Sequence, residues 1–241
     1  MKYAVVTGAT KGIGKAIAEA LLERGYYVIV NYATDDNGAK CFAEDNKKYK
    51  GQFELVKISI ESYENACLFS DTIKKISKKL DVLVLNSGTT DISSFDEISI
   101  ENWNRVLNVN LTAPFFVMQQ LSKAITDNDG RIILIGSSLG KYPHARSVSY
   151  GVSKAAVNNL ATEMTKFFCD RGITINAIAP GFVDTPWQSG KAPEHRKRIE
   201  DKIALHRFAD PKEIASLAME IINNQYINGA IIDINGGYDY R

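Results

Sequence analysis

Short runs of apolar residues recur along the chain, each closing on glycine or a small polar residue and each followed by a longer stretch with helical spacing. They lie near 2–7, 27–32, 53–58, 81–86, 131–136, 173–178 and 230–234. Nearly continuous apolar runs of this length suit strands covered on both faces, and their alternation with helical stretches predicts a doubly wound parallel sheet. At the start, KYAVVTG runs into a glycine-rich turn, and KAIAEALLERG continues with helical periodicity to a glycine stop. The expected architecture is α/β, a seven-stranded sheet with helices on both faces in a single domain over 1–241. No linker, repeat or low-complexity tract divides it.

The polar residues that end these runs carry the candidate chemistry. TGATKGIG at 7–14 supplies Gly8, Gly12 and Gly14 for a tight turn, with Thr10, Lys11 and Ile13 between them. Backbone amides at the following helix N-terminus form a site suited to a pyrophosphate. The spacing is Gly-x-x-x-Gly-x-Gly rather than Gly-x-Gly-x-x-Gly, so the flanking strand and helix carry the reading. DVLVLNSG ends in Asn86, Ser87 and Gly88, and GRIILIGSS ends in Ser137 and Ser138. The segment 108–121 reads as a helix carrying Asn110, and ITINAIAPGFVDT stops at Pro180 and Gly181 before Val183 and Thr185. Open parallel sheets bind ligands at these carboxyl ends.

Tyr150 and Lys154 stand four apart in SYGVSKAAVNNLATEM, which places both on one helix face. A free phenol titrates near 10, and a neighbouring cation favours the phenolate by about 1.4 kcal/mol for each unit of lowering. A phenol tuned in this way is a usable general acid. With 11 tyrosines in the chain the spacing alone is weak, so its place downstream of the glycine turn gives it weight.

Composition narrows the partners. The 29 Lys and Arg against 28 Asp and Glu leave a net charge of +1, which gives no bias toward nucleic acid. A hydrophobic content of 45% supports a sizeable core. Cys41, Cys67 and Cys169 are scattered without a Cys-x-x-Cys pair, so neither a disulfide framework nor a metal site is expected. No apolar run reaches membrane-spanning length and no signal peptide is present, so a cytoplasmic protein is expected. KKYK at 47–50 and KKISKK at 74–79 read as solvated faces.

In order along the chain, TGATKGIG, LNSG, VNL, the strand end at Ser137, YGVSK and APG resemble the short-chain dehydrogenase/reductase family, most closely its 3-oxoacyl-[acyl-carrier-protein] reductases. The resemblance spans essentially the whole chain and implies a Rossmann fold with the catalytic tetrad Asn110, Ser137, Tyr150 and Lys154. Ser137 is preferred because it lies thirteen residues before Tyr150, with Ser138 as competitor. It implies hydride transfer between a nicotinamide and a carbonyl or alcohol carbon. Tyr150 donates the proton, Ser137 hydrogen-bonds the carbonyl oxygen, Lys154 lowers the tyrosine pKa and holds the ribose, and Asn110 positions a water. Thr185 and the segment containing Pro180, Gly181 and Val183 fix the carboxamide, while Asn86, Ser87 and Gly88 line the adenosine side. Leu85 and Ser87 replace the family's usual Asn and Ala, and Ser59 stands where an Asp often meets adenine.

Cofactor choice is read at the second strand. Asn31 and Tyr32 end it, with Asp35 and Asp36 a turn later, and Lys11 is placed to meet a 2′-phosphate. NADP(H) is therefore expected in preference to NAD(H). The segment 187–202 has the glycine, proline and charge of a movable lid. Its HRKR run, with Lys141, His144 and Arg146, is a candidate attractor for an acyl carrier protein or another acidic substrate. Acidic DNDG at 127–130 weakens that docking, whereas Arg171 suits it. His144, His195 and His206 read as surface or packing residues. The alternatives are an alcohol, sugar or secondary-metabolite dehydrogenase and a noncatalytic dinucleotide-sensing protein; a nucleotide-sugar epimerase requires a longer C-terminal region. Apolar residues around much of 112–125 and 155–168, with the family resemblance, imply a homotetramer, with a dimer as alternative.

Overall fold

The computed structural model describes residues 1–142 and 147–238. Its strands are β1 (Tyr3–Val6), β2 (Tyr27–Tyr32), β3 (Phe53–Lys57), β4 (Val82–Leu85), β5 (Arg131–Ile135), β6 (Thr174–Pro180) and β7 (Ile231–Ile234). They form one parallel sheet in the order β3-β2-β1-β4-β5-β6-β7. Every expected strand is present within two residues at either end. The order reverses direction between β1 and β4, which opens a crevice at their carboxyl ends.

The helices are α1 (Gly12–Glu23), α2 (Asp36–Asp45), α3 (Tyr63–Ile76), α4 (Ile100–Leu107), α5 (Ala113–Leu121), α6 (Val148–Phe168), α7 (Pro193–Glu200) and α8 (Pro211–Asn223). Strand residues alternate between two cores. Ala4, Val6, Val28 and Val30 pack with Ile17 and Leu21 of α1 and Ile214 of α8, whereas Val5, Ile29, Leu83 and Ile132 pack with Phe69 of α3 and Met118 of α5. Each fully buried aliphatic contributes roughly 1.5–3 kcal/mol, so sliding a strand by one residue exchanges both faces at once. This double constraint holds the strand ends, and with them the site, in fixed register.

One element departs from the sequence reading. The helix expected over 108–121 begins with a wide π-type turn, Asn108–Thr112, between α4 and α5. Pro114 has no N–H to give to the carbonyl of Asn110 four residues back, so ordinary helical bonding fails there and the turn widens. Asn110 is thereby set apart from the regular helix, buried at 1% exposure.

Candidate active site

The glycine turn is built by backbone geometry that side chains oppose. Gly8 and Gly12 have φ of 61° and 57°, a left-handed conformation that glycine adopts without strain. Gly14 lies in the first turn of α1, and a Cβ there would lie 2.4 Å from the Gly8 carbonyl oxygen and 2.5 Å from Asn86 Nδ2. The cradle keeps backbone amides near the start of α1 unscreened by side chains, which fits the pyrophosphate of a dinucleotide. Asn86 fastens this turn to β4, its Nδ2 donating to the carbonyls of Thr7 (2.9 Å) and Gly8 (3.0 Å). Thr7 Oγ1 accepts from the amides of Asn86 and Ser87 at 2.9 and 3.0 Å. The Asn86 amide N–H groups therefore serve the turn itself. Thr185 lies against Gly12 from the other side, so the turn connects the two ends of the cleft.

At the adenosine end the arrangement differs from the sequence expectation. Asn31 is buried, and its Nδ2 donates to the carbonyls of Val56 and Ile58 at 3.2 and 2.9 Å. Its amide N–H groups thus tie β2 to β3 instead of facing a ribose. Tyr32 is half-buried at the strand end. Asp35 reaches the glycine turn: it accepts from Thr10 Oγ1 at 2.9 Å and from the Gly38 amide at 3.1 Å, and pairs with Lys11 at 3.4 Å. Partial burial raises the Asp35 carboxyl, but these hydrogen bonds and the Lys11 charge together hold it below the usual carboxylate range. The only forewarning was that an aspartate precedes an α2 start it could cap.

The catalytic candidates converge at the ends of β4 and β5. Ser137 follows β5, and its hydroxyl accepts from the Leu139 amide at 3.1 Å and stands close enough to the Tyr150 phenol to act on it. Ser138 is turned away, donating to the Ala179 carbonyl at 3.1 Å. Lys154 Nζ lies 5.7 Å from the Tyr150 ring centroid and donates to the Ile135 carbonyl at 2.7 Å. Gly88 closes the group: a Cβ there would stand 3.5 Å from Asn110 Oδ1 and 3.6 Å from Lys154 Nζ. Burial raises the Tyr150 phenol while the Ser137 hydroxyl lowers it, and burial wins. Burial also lowers the Lys154 ammonium to about 8. The depression of the phenol expected from Lys154 is therefore not found in this arrangement, where desolvation sets the direction and Ser137 alone opposes it.

The lysine has a measurable linkage. Folded Lys154 releases its proton near 8, whereas the unfolded side chain keeps it to 10.5, so between those values the unfolded state binds more protons and stability rises with pH. The difference corresponds to roughly 3 kcal/mol. Wild type should gain about that much relative to Lys154→Met between pH 7 and 10.5 in chemical denaturation. A pH-independent difference would refute the burial assigned to the ammonium.

Ser153 was absent from the sequence reading. Fully buried, it donates to the Tyr150 carbonyl at 2.7 Å and accepts from Asn110 Nδ2 at 2.9 Å. Asn110 also bonds the Thr89 backbone, accepting from its amide at 2.7 Å and donating to its carbonyl at 2.9 Å. Ser153 thus joins the Asn110 turn to the helical turn that carries Tyr150. Its place between Tyr150 and Lys154 in YGVSK was the available signal. Leaving these polar partners unpaired costs about 1–3 kcal/mol, so Ser153→Ala should unfold earlier in denaturant and lose about tenfold in turnover. Unchanged stability and rate would remove Ser153 from the architecture.

Three of the expected docking cations are ion-paired. Arg196 of α7 donates to both Asp184 oxygens at 3.0 and 3.1 Å and to Glu200 at 3.0 Å, with its guanidinium 4.3 Å from the Phe208 ring centroid. Lys197 pairs with Asp201, and Lys141 with Asp233. Arg171 bonds Asp127 and the carbonyls of Ser122 and Ile125, which makes it a tie between loops and corrects its reading as a docking residue. His144 and Arg146 lie outside the described residues. His195 and His206 are exposed. Among the described residues no group of three or more His, Cys, Asp or Glu is arranged to hold a metal, and no helix is long and apolar enough to cross a membrane.

A glycine cradle at the crevice between β1 and β4, leading to a half-buried tyrosine beside a buried serine and lysine, defines a dinucleotide-dependent oxidoreductase site. Comparison agrees: the short chain dehydrogenase family model matches residues 2–196. The chain is 34% identical to the 3-oxoacyl-[acyl-carrier-protein] reductase FabG of Aquifex aeolicus, with 98% of this chain and 96% of that protein covered. It is 33% identical to glucose 1-dehydrogenase 2 of Bacillus subtilis, over 98% and 94%. The solved angucycline C-6 ketoreductase LanV with bound NADP superposes with a TM-score of 0.91 at 32% identity, over 100% of this chain and 96% of that one. The chain belongs to the short-chain dehydrogenase family and is a nicotinamide-dinucleotide-dependent oxidoreductase.

Proposed function

We propose that this chain is an NADP(H)-dependent reductase of 3-oxoacyl thioesters, converting the ketone to a secondary alcohol. The observation that carries the reduction is the placement of the Tyr150 phenol beside Ser137 and buried Lys154, whose Nζ lies 5.7 Å from its ring centroid, a proton donor held where a carbonyl oxygen gains charge. The nicotinamide, when bound, supplies the hydride. Tyr150 gives its hydroxyl proton to the carbonyl oxygen and Ser137 donates a hydrogen bond to that oxygen. Lys154 draws the proton deficit away from Tyr150 and binds the ribose, while the Asn110 turn holds the relay water. Pro180, Gly181, Val183 and Thr185 seat the carboxamide.

Lys11 supports NADP(H). It is 61% exposed and moves from Asp35 to a 2′-phosphate at small energetic cost, since exposed ion pairs contribute about 0–1 kcal/mol. The acyl-reductase relatives support the thioester. An acyl carrier protein is the proposed donor, and fatty acid synthesis in the cytoplasm the proposed setting. A homotetramer is proposed from the exposed Val148, Val152 and Phe167 on α6. A second reading, a small free alcohol or sugar as substrate, is supported by the likeness to glucose 1-dehydrogenase 2.

The test is kcat/KM with NADPH and NADH on 3-oxoacyl thioesters, diketones and sugars, with and without Lys11→Ala. Preference for NADPH that Lys11→Ala erases supports the cofactor reading; equal or better turnover with NADH contradicts it. Sugar oxidation with no thioester reduction transfers the assignment to the second reading.

A further inference from the structure

Immediately after Thr185, the single helical turn Pro186–Gln188 carries Trp187 to the catalytic tyrosine. The two ring centroids are 6.1 Å apart with planes inclined at 54°, and the indole remains 52% exposed. What sets this exposed aromatic apart is its place against the tyrosine, since an indole offers a large apolar face to any molecule that reaches the phenol. Thr185 on one side lies against Gly12, and on the other Asp184 is clasped by Arg196, so the turn is anchored at its base. The indole is therefore a positioned wall whose free side adjoins the phenol that meets the carbonyl.

We propose that Trp187 forms the apolar wall of the substrate subsite and selects carbonyl compounds that carry an alkyl chain beside the reacting carbon. This deepens the reductase reading and rests on it. Covering the indole removes apolar surface of both wall and chain from water, so each added methylene contributes binding. A small hydrophilic carbonyl compound leaves the wall wet and gains nothing from it. Trp187 is a specificity-determining residue in this account, and its loss acts on KM more than on kcat.

The experiment compares acetoacetyl and 3-oxooctanoyl N-acetylcysteamine thioesters in wild type, Trp187→Ala and Trp187→Phe. Wild type should prefer the longer ester by about tenfold or more in kcat/KM, Trp187→Ala by about twofold with the change in KM, and Trp187→Phe should keep most of the preference. An unaltered chain-length ratio in Trp187→Ala overturns the proposal. A second readout needs no turnover: the 3-hydroxyoctanoyl thioester, added without any dinucleotide, should quench tryptophan emission in wild type and not in Trp187→Phe. Quenching without NADPH consumption on any carbonyl would keep the wall and defeat the reductase reading, whereas turnover with neither quenching nor a changed ratio would defeat the wall alone.

Discussion

Tyr150→Phe should lose roughly 10²–10⁴-fold in kcat while its affinity for the dinucleotide stays near wild type. The substitution removes one oxygen and keeps the ring against Trp187, so neither the helix nor the cofactor turn is disturbed. What disappears is the proton donor beside Ser137. The effect should appear in kcat and kcat/KM together, the mark of an interaction made in the transition state. Cofactor fluorescence titration beside steady-state kinetics reads both quantities. Turnover within threefold of wild type would end the assignment of Tyr150, and a lost cofactor affinity would mean the ring also supports the nicotinamide end.

Gly14→Ala should cripple the opposite end of the cleft. Alanine in a helix is favoured over glycine by about 1 kcal/mol, so propensity alone predicts stabilisation. The new Cβ, however, would stand 2.4 Å from the Gly8 carbonyl oxygen, 2.5 Å from Asn86 Nδ2 and 3.0 Å from Ala9 Cα, so the clash is largely with backbone. Overpacking costs about 1–3 kcal/mol and here falls on the atoms that shape the cradle, so steric cost exceeds propensity. The expected result is a Tm lowered by about 5 °C and a dinucleotide Kd raised by about tenfold or more. A variant as stable as wild type with the same Kd would show that the turn relaxes freely and that its glycines are not the cradle.

The sheet was legible because parallel strands covered on both faces leave an apolar run whose length and polar stop are both visible, as in VLVL before Asn86 and RIILI before Gly136. The grouping of Ser137, Tyr150 and Lys154, the proposed catalytic residues, was legible for a related reason: they occupy a strand end and one helix face, positions that sequence spacing fixes. What spacing could not give was the direction of a side chain between two available partners. Asn31 stands at the end of β2 as a ribose ligand would, yet β3 offers it two carbonyls. Arg171 and Arg196 look like free cations in the sequence, and folding brings Asp127 and Asp184 to them across 44 and 12 residues. Pro114 announced the widened turn at Asn110, but only a count back to the lost hydrogen bond reveals it.

The most direct test of the account is to follow NADPH consumption and 3-hydroxyoctanoyl thioester formation together, with purified protein and the 3-oxooctanoyl thioester. The account predicts equal amounts of each, abolished together in Tyr150→Phe. Confirmed NADPH binding with no consumption on this or any other carbonyl, or consumption that survives Tyr150→Phe, would contradict it.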